Sequence, residues 1–121
     1  MTLQSMTDTH GLIIDAIRDR KGHSITLVNL SEIPGATAEA FIIAEGNSTT
    51  QVASIAERVE ERLLKDGGMK PYNTDGFKNA EWIVMDYGDV WVHVLLPEAR
   101  IHYNLEELWC DADIKEIPDI D

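Results

Sequence analysis

An amphipathic segment with strand patterns on both sides limits the folds open to this chain. Its apolar side chains recur with helical spacing on one stripe, which consists of Val52, Ile55, Ala56, Val59 and Leu63. Ser48 and Gln51 have the spacing of a capping box, and Gly67-Gly68 provides a stop. This segment is long enough to cross over a sheet, so it predicts a helix that connects strands in a layered domain.

Four strand patterns flank this helix. Residues 24–30 are β-branched and end before Pro34-Gly35, and residues 40–44 form a second short apolar run. Residues 82–86 and 90–96 are separated by Tyr87-Gly88-Asp89, which are typical turn residues. This spacing predicts a β-hairpin.

Two shorter helical patterns complete the order. After a loose start at residues 1–7, a helical stripe at residues 12–17 stops at Lys21-Gly22, and Pro97 opens a short helix to Tyr103. Residues 105–109 predict one more helical turn. The order predicts an α+β fold, in which a two-layer domain has a mixed β-sheet and helices mainly on one face.

The length of 121 residues is too short for two ordinary cores. We therefore predict one domain over residues 1–109, followed by an acidic tail at residues 110–121. From Asp111 onward the tail carries five acids and one lysine, which predicts partial disorder.

The charge balance limits the partners. Ten Lys+Arg against 22 Asp+Glu give a net charge of −12. This charge argues against sequence-specific nucleic acid and anionic membranes as partners, and it suits a basic protein. The single cysteine, Cys110, fits a reducing compartment. Because the sequence has neither a membrane-length apolar run nor a secretory leader pattern, we predict a cytoplasmic location.

The patterns for catalysis are weak. Ser48 stands at a helix start, where anions bind, but helix capping already explains it. Asp86 and Asp89 bracket the hairpin turn, and two carboxylates are too few for a metal site of their own. His93 lies mid-strand, and no local motif places a nucleophile for it. We therefore predict no catalytic residue, no metal and no cofactor.

Aromatic residues are concentrated in the last third of the chain. They are Trp82, Tyr87, Trp91, Tyr103 and Trp109. Tryptophan and tyrosine are enriched in protein interfaces, and they also pack between helices and sheets, so each residue could serve either purpose. In a chain this small, at least one of Trp82 and Trp91 should lie on a surface.

The block at residues 81–109 resembles the Iojap family of ribosomal silencing factors (RsfS). The resemblance rests on a strand beginning with Trp82, on Asp-Tyr-Gly-Asp at 86–89 and on Val-His-Val at 92–94. Pro-Glu-x-Arg at 97–100 and Tyr-x-Leu-x-x-Leu-Trp at 103–109 complete it. Upstream, residues 41–48 are similar to the family's strand, Gly-x-Ser turn and helix entry.

This resemblance implies a nucleotidyltransferase-like core without catalysis. It implies binding to the large ribosomal subunit through a basic ribosomal protein at the subunit-joining face, L fourteen in the standard naming. Such binding would sterically block small-subunit joining and repress translation under nutrient limitation. The resemblance also implies help in late assembly of the large subunit.

The resemblance and the residue patterns together give a set of candidate site residues. The expected partner-binding residues are Trp82, Asp86, Tyr87, Asp89, Trp91 and His93. The expected supporting residues are Arg100, Tyr103 and Trp109. One alternative is a divergent nucleotidyltransferase-like enzyme or nucleotide-binding protein, with Ser48 at a phosphate and Asp86 and Asp89 on a metal. Another is a homodimer whose own tryptophan surface is its interface.

Overall fold

The computed structural model describes residues 2–35, 38–103 and 113–118. The helices are α1 (Thr2–Asp19), α2 (Thr49–Gly67) and α3 (Pro97–Tyr103). The strands are β1 (His23–Asn29), β2 (Ala40–Glu45), β3 (Asn73–Asp75), β4 (Trp82–Asp86), β5 (Val90–Leu95) and β6 (Asp113–Ile117).

The strands form one sheet in the order β3-β4-β5-β2-β1-β6. The central pair β2–β5 is parallel, and the other four pairs are antiparallel. Helix α2 lies in the connection that returns the chain from β2 towards its parallel neighbour. The predicted mixed sheet and the predicted hairpin of β4 and β5 are confirmed.

The two faces of the sheet are covered differently. The inner stripe of α2 and the apolar side of α1 pack on one face, where they form the main core with strand residues such as Ile42, Ile83 and Val92. The other face has a smaller cluster around Phe41 and Leu95, which α3 joins through Ala99. The prediction that the helices lie mainly on one face is therefore confirmed for the two long helices. The nucleotidyltransferase-like core stays a prediction.

The start of α2 follows the predicted cap with one difference. Ser48 is extended, with φ of −148°, and its hydroxyl accepts a hydrogen bond from the Gln51 amide at 3.1 Å. The Gln51 side chain accepts from the Asn47 amide at 2.6 Å, one residue before the expected Ser48 amide. Gly68, in the left-handed region with φ of 64°, ends the helix as predicted.

Two element predictions were wrong, and one strand was missed. The helix α1 begins at Thr2, so residues 2–7 are helical where the sequence predicts a loose start. The short strand β3 was not predicted, and it pairs with β4. The expected disorder is wrong for residues 113–117, because β6 pairs with β1 along its length. The helical turn predicted at residues 105–109 and the domain boundary after residue 109 lie outside the described residues.

Candidate interaction surface

Strand alternation divides the hairpin between the two faces of the sheet. Ile83 and Met85 of β4 point into the main core under the long helices. The opposite surface of β4 and β5, with Phe41 of β2, is here called the aromatic face. It consists of Phe41, Trp82, Val84, Asp86, Trp91 and His93. Among the described residues, the cluster on this side contains none from α1 or α2.

The aromatic rings of this face contact one another across three strands. Phe41 stacks on Trp91 with ring centroids 5.9 Å apart and meets His93 edge-on at 4.7 Å. Trp82 lies beyond His93, with centroids 6.0 Å apart. Trp82 and Trp91 are both partly exposed, which confirms that at least one of them lies on a surface.

His93 is buried beneath this surface. Its side chain is 4% exposed, and its Nδ1 accepts a hydrogen bond from the Trp82 indole Nε1 at 3.1 Å. Because Nδ1 is the acceptor, the ring proton is assigned to Nε2, which is buried without a partner among the described residues. Burial lowers the pKa of His93 to about 4, so the ring is neutral near pH 7. His93 therefore orients Trp82 from below.

The structure separates Tyr87 from the other candidates. Its side chain is 5% exposed and belongs to the main core on the helix side of the sheet. Burial, and secondarily the charge of Glu60, raise the pKa of the Tyr87 phenol well above its ordinary value. The alternation from Ile83 through Met85 to Tyr87 is the sequence signal that could have placed it there.

Asp86 and Asp89 have different tasks at the hairpin turn. The Asp86 carboxylate accepts the Gly88 amide at 2.7 Å and so stabilises the turn. The side chain of Asp89 is exposed, while its backbone carbonyl accepts from the amides of Glu39 at 2.8 Å and Ala40 at 3.1 Å. The turn thus presents one exposed carboxylate on a backbone that is hydrogen-bonded to the next strand.

Arg100 fastens α3 to the sheet. Arg100 is 7% exposed, and its guanidinium donates to the Ser24 carbonyl at 2.6 Å and to the Thr26 hydroxyl at 2.8 Å. It also forms an ion pair with Glu45 at 3.0 Å. Sequence reasoning missed Glu45, although an acid at the end of an apolar strand was an available signal. Tyr103 is the last residue of α3, and Trp109 lies outside the described residues.

Sequence reasoning also missed Phe41 and Tyr72. Phe41 joins Trp91 to His93, and its place in an apolar strand gave no indication of its face. Tyr72 is 81% exposed, and its ring lies against Gly88 of the hairpin turn. A tyrosine directly after a proline, in the segment between α2 and β3, was the available signal.

The residues of the enzymatic alternative are not brought together. Ser48 follows the carboxyl end of β2, whereas Asp89 is bonded to Ala40 at its opposite end. A strand of this length separates the two ends by about 17 Å. The Ser48 hydroxyl already caps α2. Within the described residues, no group of three or more His, Cys, Asp or Glu side chains could hold a metal ion. No helix in the same ranges is long and apolar enough to span a membrane.

Comparison with known proteins identifies similar sequences over most of the chain. A family model described as "Ribosomal silencing factor during starvation" matches residues 4–121. A protein of Halalkalibacterium halodurans, named ribosomal silencing factor RsfS, is 35% identical over 106 residues, covering 88% of this chain and 89% of that protein. A Bacillus subtilis protein of the same name is 34% identical over 102 residues, covering 84% and 85%. The chloroplast protein Iojap of Zea mays is 35% identical over 81 residues, covering 64% and 33%.

Solved structures share the fold. A crystal structure of a Chromobacterium violaceum protein superposes with a TM-score of 0.80 at 35% identity, covering 86% of this chain and 85% of that one. A crystal structure from Bacillus halodurans gives a TM-score of 0.78 at 31% identity, covering 92% and 99%. The fold of the described residues is therefore shared with these two proteins.

Proposed function

Because the chain belongs to the RsfS family of ribosomal silencing factors, we propose that it binds the large ribosomal subunit and blocks joining of the small subunit. The resemblance seen at residues 81–109 is thereby confirmed at the level of the family. The finer proposal is that a basic ribosomal protein at the subunit-joining face, L fourteen, is the direct partner. Binding there would repress translation when nutrients are scarce and could serve late assembly of the large subunit.

The aromatic face with its acidic edge is the observation that carries this proposal. Trp82 and Trp91 are partly exposed on the side of the sheet that the two long helices leave open, and Asp86 and Asp89 lie at one end of it. Interfaces of this kind have aromatic anchors at the centre and charged residues at the rim. The net charge of −12 is complementary to a basic partner.

The proposed mechanism is steric and requires no covalent bond to be made or broken. The bound domain occupies volume that the small subunit would need, so repression depends on occupancy and on residence time. The acidic residues guide the approach and set the orientation, while the aromatic anchors slow dissociation. A factor acting on ribosomes in this way would work in the cytoplasm, in agreement with the sequence-based expectation.

Sedimentation with separated ribosomal subunits tests the proposal. The purified protein should co-migrate with the large subunit, and the joined particle should decrease when small subunits are added. If the protein stays at the top of the gradient at low salt, the ribosomal function is wrong.

Two variants locate the binding surface. Trp82→Ala should weaken binding to the large subunit by roughly 30-fold, since an interface tryptophan contributes about 2 kcal/mol. Asp89→Ala should have a smaller effect that fades at high salt. Glu57→Gln, at an exposed position on α2, is the matched control and should bind like the wild type. Normal binding by both surface variants would contradict the assignment of this face.

Homodimerisation through the same face stays a prediction. It would compete with the ribosomal partner, because both would cover Trp82 and Trp91. Sedimentation of the free protein over a concentration series measures it directly, and a constant monomer mass would contradict it.

A further inference from the structure

Tyr72 is an exposed aromatic side chain at the turn end of the hairpin. Its exposed fraction of 81% is the largest among the big apolar side chains of the described residues. The segment that carries it leads from α2 into β3, the edge strand next to β4. It therefore lies outside the aromatic face defined by the sheet, but beside the same turn.

Two contacts place Tyr72 beside the turn. The Tyr72 amide donates to the Asp86 carbonyl at 2.7 Å, which holds the backbone against the end of β4. The ring rests on Gly88, where an added Cβ would lie 2.9 Å from the Tyr72 Cε2 atom. Gly88 also has a φ of +89°, a conformation that favours glycine. The ring thus packs against the glycine of the turn, while most of its surface faces solvent.

Acidic residues flank the hairpin turn beside Tyr72. Asp86 and Asp89 are the two residues on either side of Tyr87-Gly88, and Glu39 is bonded through its amide to the Asp89 carbonyl. The side chains of Asp89 and Glu39 are exposed, and that of Asp86 is partly exposed. Lys70, also exposed, precedes Tyr72 by two residues, and His10 of α1 lies close enough to Glu39 for their charges to interact.

We propose that Tyr72 is a contact residue for a cationic side chain, an arginine or lysine, of the basic protein partner. The π face of the ring attracts a cation, and the carboxylates of Asp86 and Asp89 add the opposite charge nearby. An anionic side chain would be repelled here, and an apolar one would bury carboxylates without pairing them. This inference rests on the proposed function and extends its binding surface around the hairpin turn to β3.

Three single variants test the role of the ring. Tyr72→Ala should weaken binding to purified large ribosomal subunits about tenfold, whereas Tyr72→Phe should keep nearly all of the affinity because the π face remains. The matched control is Leu64→Ala, which removes another exposed apolar side chain on α2 and should bind like the wild type. Thermal unfolding of each variant verifies that the fold is intact.

The outcomes separate this inference from the proposed function. If the wild type itself fails to bind large subunits, the proposed function is wrong. If the wild type binds and Tyr72→Ala binds equally well, only the contact by Tyr72 is wrong. If Tyr72→Phe is as weak as Tyr72→Ala, the hydroxyl rather than the π face makes the contact, and the inference is overturned.

A double-mutant cycle tests whether the contacted group is a cation. Asp89→Asn and Tyr72→Ala would each weaken the interaction with the same cation. The fold-loss of affinity in the double variant should therefore be smaller than the product of the two single fold-losses. The coupling should also shrink as salt is added. Losses that multiply independently at low salt would overturn the assignment of a shared cationic side chain.

Discussion

His93 illustrates how a residue can serve a surface without touching what binds there. Its ring lies under Trp82 and against Phe41, and its one hydrogen bond here is accepted from the Trp82 indole. Without this bond the partly exposed Trp82 side chain could adopt several orientations, whereas the hydrogen bond to His93 favours a single orientation. The neutral state of His93 is necessary for this, because a protonated ring has no acceptor to offer.

The burial of His93 predicts a pH dependence of stability. Its pKa is about 4 in the folded state and near 6.5 when exposed, so only the unfolded chain takes up this proton as the pH falls through that window. The free energy of unfolding is therefore unaffected by this group above about pH 6.5. It decreases as the pH falls towards 4, by a total on the order of 3 kcal/mol. Urea unfolding from pH 7.5 to 4.5 should show a flatter dependence for His93→Gln than for the wild type.

Trp82→Phe is the control for the cause of this pH dependence. It removes the indole donor but leaves His93 in place and largely covered, so the steep pH dependence should persist. If Trp82→Phe flattens the curve as much as His93→Gln does, the hydrogen bond rather than burial lowers the pKa of His93.

At the scale of elements, the start of α2 is joined to the end of α1 by one side chain. Besides its bond to the Asn47 amide, Gln51 donates from Nε2 to the carbonyls of Arg20 and Lys21, each at 3.1 Å. A residue expected to cap one helix therefore also satisfies acceptors where the preceding helix ends. Arg58 and Arg62 of α2 continue the connection through ion pairs with Asp19 at 2.9 and 3.0 Å.

Two substitutions distinguish capping from this connection. Ser48→Ala should lower the free energy of unfolding by about 1 kcal/mol, the usual cost of a lost N-cap. Gln51→Ala should cost more, because it removes the three hydrogen bonds to the Asn47 amide and to the Arg20 and Lys21 carbonyls, whereas Ser48→Ala removes one. Thr50→Ala, exposed in the same turn, is the control and should change little. Urea unfolding at neutral pH measures all three, and a smaller loss for Gln51→Ala than for Ser48→Ala would contradict the connection.

The helices and strands differ in how well they can be predicted from their own residues. The cap, the stripe and the glycine stop of α2 are local, and so is the turn of the β4–β5 hairpin, which is why these predictions agree with the structure. The strand β3 reads Asn-Thr-Asp and is exposed throughout, so its extended conformation depends on pairing with β4. In β6, Ile114 and Ile117 are three residues apart, a spacing that does not alternate as in a strand.

At the scale of the whole molecule, electrostatics should control the rate at which the partner is found. With a net charge of −12, association with a basic partner should be fastest at low salt and should slow several-fold as the Debye length shrinks. Association rates with large subunits test this expectation when they are measured at roughly 50 and 300 mM salt, between which the Debye length falls from about 14 Å to about 6 Å. A rate independent of salt would contradict electrostatic guidance.

The surface itself could be predicted only in part. Trp82, Asp86, Trp91 and His93 were named from the aromatic clustering and the family resemblance. Tyr87 was named with them, although alternation along the strand places it on the opposite face. The sequence could not show that Phe41 lies beside them, because the parallel pairing of β2 with β5 joins segments that are far apart in the chain. For the same reason Arg100 could be expected to support the surface, but its partners Ser24, Thr26 and Glu45 could not be named.

The pairing of β1 with β6 has a consequence for the way the protein is made. Ile25 pairs with Ile117, so one edge of β1 stays without its neighbour until nearly all of the described chain has been synthesised. Contacts between residues so distant form late, and an open strand edge invites pairing with other chains. The nascent chain is therefore most prone to aggregate just before β6 emerges, and chaperones that shield strand edges would matter most in that interval.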